Sequence, residues 1–283
     1  MTDTSTRALA ARASRPAVRP RWQRALVSFA YFAIPIAAVI VIWQLVTMLN
    51  PPAPFFPQPF AIIANLWDLL FGSPKAVQQV FYGEFLQTVG RMALGFAIGA
   101  VWGIVIGTIM GLWRGARETI NPIVEFLRSI PATATLPLFI ILLGGGNDMR
   151  VVFIAYGVSW FVLINTSVGV GSVHKTLLDV GKVFKISPAR RLFRILLPGA
   201  MPKIFAGLRI ASTAALLLAI VSEFMLATDG VGYMLVQAQG RFQLLNMWSW
   251  MLALAILGLI INSLLEWIEG RLLGWHRQSK SRA

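Results

Sequence analysis

The sequence predicts an all-α membrane protein of six transmembrane helices with a two-helix cytoplasmic loop, and three observations carry that expectation. The chain is 57% hydrophobic and only 13% charged, with a mean hydropathy of +0.71, which excludes a water-soluble globule. Six apolar stretches, 25–49, 85–112, 120–143, 150–170, 204–227 and 247–269, each supply the ~20 mostly apolar residues that cross a ~30 Å hydrocarbon core. Nineteen of the 25 Lys and Arg fall in the N-terminal tail, the 113–119 turn, the central loop and the C-terminus, and only Lys75, Arg150 and Arg241 fall in the opposite loops. The positive-inside rule therefore places both termini and the central loop in the cytoplasm.

Residues 1–24 are polar and carry six Arg, the composition of a disordered basic cytoplasmic tail. The stretch 25–49 exceeds the ~7 to 15 residues of a secretory h-region and no Ala-x-Ala site follows, so it reads as a retained first span. Five prolines in 51–59 mark an extended crossing outside the membrane. Ile62, Ile63, Leu66, Leu69 and Leu70 then form one apolar helical face; Asn65 and Asp68 favour an interfacial helix over part of a span.

In the second span Gly95, Gly99, Gly103, Gly107 and Gly111 recur every four residues. Such a stripe lets another backbone approach closely, either within the subunit, the use we expect, or across a symmetric dimer seam. Pro131 and Pro137 interrupt the hydrogen-bond ladder of the third span, giving a broken helix beside a transport path or a fixed kink. Arg91, Glu125, Arg128, Arg209 and Glu223 lie within or near the ends of spans, where charges pair or face water. Glu223 is a candidate for a pore or gate, or for pairing with Arg209 or Arg91. Glu125 and Arg128 are three residues apart and read as a local ion pair or as snorkelling side chains.

Residues 174–203 form a basic island between two apolar runs, with Lys175, Lys182, Lys185, Arg190, Arg191, Arg194 and Lys203 against one acid, Asp179. Leu177, Leu178, Gly181 and Phe184 lie along one side of a first short helix. Ser187 followed by Pro188 signals the start of a second. There Leu192, Ile195 and Leu196 share a face opposite Arg190, Arg191 and Arg194, and Pro198 and Pro202 limit its length.

This island resembles the signature loop of the permease subunits of bacterial ATP-binding-cassette importers: Glu-Ala-Ala, three residues, Gly, nine residues, then Ile-x-Leu-Pro. Asp179, Val180 and Gly181 fall on the first three places, Lys185 on the Gly, and Ile195, Leu197 and Pro198 on the last, with no gap. Asp keeps the carboxylate, whereas Val and Gly replace two Ala and Lys replaces a Gly that serves the turn. Thr88–Gly95, Phe126–Leu138, Ala206–Ile210, Ser222-Glu223-Phe224 and Gly230–Tyr233 look like the subgroup that imports nitrate, taurine and alkanesulfonates. The resemblance covers about residues 85–270.

The resemblance implies a multi-pass permease of the inner (plasma) membrane, with a permease domain at 25–270, a coupling loop at 174–203 and a basic cytoplasmic tail at 271–283. Implied partners are a cytoplasmic ATPase that holds the ATP, a second permease copy, an external substrate-binding protein and membrane lipid. The coupling-loop residues would be Leu177, Asp179, Gly181, Phe184, Lys185, Ile195, Leu197 and Pro198. Those of a pore or gate would be Glu223, Arg209, Pro131 and Pro137. In this picture Leu177, Phe184 and Ile195 press into a cleft on the ATPase.

No catalytic residue, metal site or cofactor is expected in this chain. It has no cysteine, and His174 and His276 sit beside basic segments, away from any ligand cluster. No Gly-x4-Gly-Lys-Ser/Thr occurs, and Gly144-Gly145-Gly146-Asn147 is a turn. The net charge of +14 flanks apolar runs instead of interleaving with aromatics, which favours a membrane reading of that charge over a nucleic-acid surface. An ion-coupled secondary carrier and a membrane-embedded enzyme are the alternative readings; the first does not need a 30-residue basic loop, and the second has only Glu223 with Arg209 to offer.

Overall fold

A computed structural model of the protein describes residues 21–49 and 55–272, without the side chains of 21–30, Phe32, Ala76 and Lys175. The tails expected at 1–24 and 271–283 lie wholly or largely outside the described residues, as does His276. The chain divides after Phe60. In the first unit, helix α1 (Arg21–Leu49) is joined to the segment after it by Trp43, stacked on Phe56 at 4.9 Å, and by Gln44, whose amide donates to Gln58 at 3.2 Å.

The second unit is built on parallel packing between α3 (residues 74–112) and α6 (Asn147–Gly171). The glycine stripe makes it possible. A Cβ added at Gly99 would lie 2.5 Å from the Ala155 carbonyl oxygen, one at Gly103 2.8 Å from that of Ser159, and one at Gly107 2.5 Å from that of Leu163. The register advances by four on both helices at once, so the two backbones run side by side in the same direction. The stripe is thus spent on packing within the subunit, as expected, and is closed to a second copy.

Because α3 and α6 are parallel neighbours, residues 113–146 must carry the chain back along their height. They do so as a bent pair, α4 (Arg114–Ser129) and α5 (Leu136–Leu143), turned by 82° about a short 3-10 turn. The bend falls at Ile130 and Pro131, both extended in ψ. Pro137 breaks nothing: it sits in the first turn of α5, where a missing N–H costs no bond. Glu125 accepts from Asn121 at 2.7 Å, and among the described residues no ion pair joins it to Arg128; both side chains are exposed.

Antiparallel to α6 runs α8 (Pro188–Phe224), with Leu218 beside Gly157 and Lys203 beside Gly169. This helix does not stop at Pro198 or Pro202, contrary to the sequence expectation. Residues Leu192–Leu196 form a π turn in which the Leu197 N–H bonds to the Leu192 carbonyl, widening the backbone just before Pro198 so that the helix continues. Met149, Phe153, Ile154 and Val158 of α6, Ala211, Ala215 and Ala219 of α8, Met92 of α3 and Leu136 of α5 close the core.

Helix α9 (Val231–Gly240) and α10 (Leu244–Leu272) complete the unit. The short α2 (Pro59–Phe71) packs Leu66 against Trp250 and Leu254 of α10, and its Asn65 donates to Asn246 and Ser249, both at 2.9 Å. Its polar residue is therefore satisfied by a neighbouring helix, which the sequence pattern does not reveal. Among the described residues, four helices are long and apolar enough to cross a membrane, five with the bent pair as one span; Ala33–Leu49 and Pro59–Phe71 are shorter apolar helices.

Candidate functional site

The junction between α6 and α8 contains α7 (Lys175–Val183). His174 caps it, its Nδ1 accepting from the Thr176 N–H at 3.4 Å, so the histidine has a local structural use. At the other end the Lys185 N–H bonds to the Lys182 carbonyl at 2.9 Å and the Ile186 N–H to the Gly181 carbonyl at 3.0 Å. This paired pattern closes a helix through one residue in the left-handed region, a position that favours glycine. Lys185 holds it, with φ +50°. Lys185→Gly should therefore stabilise the turn by about 1 kcal/mol, read as a roughly five-fold rise in hydrogen-exchange protection of the Ile186 amide.

The second short helix starts at Pro188 as expected, but the Ser187 side chain makes no cap; its carbonyl instead accepts from the Arg191 N–H at 2.9 Å. This helix is the first turn of α8. Gly181 is the contact point between the two: a Cβ there would lie 3.1 Å from both Arg191 Cδ and Ile195 Cδ1. The thin middle of α7 thus lets α8 cross it closely. Leu178, Leu192 and Leu197 pack inward onto Val170, Leu196, Ala200 and Ile204.

Apolar side chains are exposed on this element as well. Val183 is 78% exposed, Phe184 74% and Phe193 67%, with Leu177 and Val180 about half exposed. Exposed Lys182, Lys185, Arg190 and Arg194 surround them. Of the three residues expected to be exposed here, Leu177 and Phe184 are, whereas Ile195 is turned toward Gly181. Val183 and Phe193 were missed: neither lies three or four residues from any of those three, and the sequence does not say which flank of a helix is covered. Asp179 pairs locally with Lys182 at 2.9 Å. Pro198 lies partly buried beyond the π turn.

The opposite end of the bundle holds Glu223, one of the four residues proposed for a pore or gate, together with several the sequence reading passed over; Pro131 and Pro137 lie at the α4–α5 bend. Glu223, fully buried, receives Arg91 Nη1 at 3.0 Å, the Thr88 hydroxyl at 2.9 Å and the Gly232 N–H at 2.9 Å. Arg91 also bonds to the Asp229 carboxylate, and its Nε donates to Asn147 at 2.9 Å. Glu84 accepts from the Gly230 N–H at 2.7 Å, and Arg150 Nη2 donates to the Leu226 carbonyl at 2.9 Å. Arg91 thus pairs with two acids, Glu223 and Asp229, while Glu84 and Arg150 hold the backbone of the turn before α9, the Arg150 Nε being left without a partner among the described residues.

Arg209 is not among them. It pairs with Glu269 of α10, part exposed. Residues 209 and 223 lie fourteen apart on one helix, about 21 Å along its axis at ~1.5 Å per residue, so they could not have met. A signal for the cluster was available: Glu84, Thr88 and Arg91 share a helical face, at i, i+4 and i+7.

The multi-span helical core, with a basic helix pair at one end and a largely buried ionic cluster at the other, is that of a multi-pass membrane protein. The chain belongs to the binding-protein-dependent transport system inner membrane component family, whose sequence profile matches residues 99–273. It is thus the permease subunit of a bacterial ATP-binding-cassette importer, and the carrier and enzyme alternatives fall away.

The chain is 30% identical over 240 residues to the putative aliphatic sulfonates transport permease protein SsuC of Bacillus subtilis, covering 84% of this chain and 85% of that one. It is 28% identical over 268 residues to the nitrate import permease protein NrtB of Synechocystis sp., covering 90% and 96%. An inward-facing structure of the MetNI methionine ABC transporter shares the fold at a TM-score of 0.61 and 17% identity, covering 71% of this chain and 99% of that chain.

Proposed function

We propose that this permease carries a small polar anion, of the nitrate or sulfonate class, delivered by an external binding protein, and that residues 174–203 couple the passage to a cytoplasmic ATPase. The observation that carries the coupling reading is the exposure of Val183 and Phe184 at the end of α7 and of Phe193 in the first turns of α8, on a basic helix pair whose second helix runs on through residues 188–224. A cleft on an ATPase would cover them, with the surrounding Lys and Arg setting orientation. The substrate class is supported by the names of the sulfonate and nitrate relatives.

In this reading α1 is a sixth span added to the five countable ones. Both termini and the coupling loop are cytoplasmic, following the charge distribution, and the chain sits in the inner membrane as a permease domain, 25–270, between basic tails. Two copies form the pathway, each with one ATPase that holds the ATP, and ATPase closure re-tilts the spans. The possible pore or gate residues are Pro131 at the bend, Pro137 at the start of α5, and Arg209 and Glu223 of α8.

The test is uptake of labelled nitrate and methanesulfonate by cells expressing the permease with its ATPase and binding protein. Uptake of one of them should stop when ATP is depleted with the proton gradient clamped. Uptake that follows the gradient instead would overturn the reading.

A further inference from the structure

At the end of α8 remote from the coupling element, the chain turns through Met225–Asp229 into α9. This helix is too short to cross a membrane, at ten residues or about 15 Å. It begins and ends at the same end of the bundle, between the finish of α8 and the start of α10. Its first three N–H groups, those of Gly230, Val231 and Gly232, are all received by buried side chains: Glu84, Thr88 and Glu223. Acids at a helix start also suit its dipole. Gly230 has φ +106°, and a Cβ there would overlap the Glu223 carboxylate. The preceding turn contains Leu226 at φ +56°, its carbonyl held by Arg150.

Arg91 and Glu223 are almost wholly buried, with side-chain exposures of 4% and 0%. Removing either partner takes from a buried charge its closest opposite charge, so the contact is costly to open. The α3–α6 seam beneath it is equally closed, backbone against backbone. From Leu197 to Phe224, α8 is one uninterrupted helix.

We propose that the Arg91-centred cluster is a permanent clamp that makes α9 and its turn part of the α3–α6–α8 block, so that displacement of the coupling element is carried by α8 to α9 at the far end. The cluster stays closed through the transport cycle; it does not serve as a gate that opens. Arg91 is a positioning residue and touches no solute. The proposal rests on the coupling reading of residues 174–203 for its input and on the cluster alone for its rigidity, and the two parts can be tested separately.

The chain has no cysteine, so single thiols report cleanly. Val231 is fully buried, and Val231→Cys in the permease in nanodiscs should be unreactive to a maleimide. Adding Arg91→Ala should raise its labelling rate at least ten-fold; if that variant fails to insert, Asp229→Asn is expected to act in the same direction. Unchanged labelling in an inserted variant would overturn the clamp.

In the ATPase complex, Val231→Cys should stay unreactive in both the nucleotide-free and vanadate-trapped states. A disulfide between Gly145→Cys and Leu226→Cys, where a Cβ at Gly145 lies 3.2 Å from Leu226 Cβ, close to the ~3.5 to 4.5 Å of natural bridges, should leave ATP turnover within two-fold of the reduced form. A ten-fold rise in labelling on trapping, or turnover lost on oxidation and regained with reductant, would show that the cluster opens and overturn the proposal. Failure of any ATPase to bind would instead count against the coupling reading, and with it the carriage by α8, leaving the clamp to the nanodisc result.

Discussion

Gly103→Leu is expected to abolish the folded permease. The first atom added, Cβ, would stand 2.8 Å from both the Ser159 carbonyl oxygen and Val162 Cβ, and 2.9 Å from the Leu163 nitrogen. Two of these are backbone atoms of a helix interior and cannot swing aside. Relief requires α3 and α6 to separate along their whole seam, because the register of four repeats at Gly99 and Gly107. Separation uncovers the core around Phe153 and Ile154 and pulls Arg91 from Asn147. Overpacking alone costs ~1 to 3 kcal/mol, and with the lost helix contacts the total passes roughly 3 kcal/mol, a large part of the ~5 to 15 kcal/mol that holds a domain together.

The measurement is the monodisperse fraction recovered by size exclusion after detergent extraction. Gly90→Leu on the same helix is the control: a Cβ at Gly90 meets nothing within 4 Å, and this variant should extract like the parent. A Gly103→Leu protein that does the same would contradict the seam.

Replacing Phe184 and Phe193 together by Ala is expected to weaken ATPase capture more than 100-fold while leaving the permease folded. Both rings stand out from the helix pair and support nothing in the core, so their loss costs the isolated chain little. Within an interface, truncation of a central aromatic costs ~2 kcal/mol or more, and two such losses account for the factor. Titration of the purified ATPase onto immobilised permease reads it. Leu196→Ala makes the contrast, since Leu196 is 4% exposed in the inner cluster; its loss should lower thermal stability of the permease itself.

How much of this was legible in the sequence depended on whether one helix or two were needed to see it. The glycine stripe was readable because a spacing of four is already a surface on a single helix. The bend at Pro131 was readable because a proline after an extended residue ends a helix. Pro198 and Pro202 misled for a physical reason: a π turn at Leu192–Leu196 absorbs the strain, and no residue type announces a π turn. The place of Lys185 emerged from the family pattern and is explained by its backbone, a left-handed residue closing α7.

The ionic cluster was legible only in part: pairing of Glu223 with Arg91 was one of the expected alternatives and is found, but the full set was not. Its members come from α3, α6, α8 and the turn before α9, and only packing decides which charges share a depth. Arg150 was counted as a loop charge because the sequence places it at a span end, yet it is 4% exposed and bonded to Leu226. Ile195 was assigned outward because amphipathicity identifies an apolar face without naming what covers it; here α7 covers it.

The most direct test of the central claim, that the exposed face of residues 174–203 is where the ATPase sits, is photo-cross-linking from single positions. A photoreactive phenylalanine at Phe184 or Phe193 should cross-link to the ATPase in the assembled complex, and one at Leu178, on the inward side of α7, should not. Cross-linking from Leu178 with none from Phe184 and Phe193 would contradict the account.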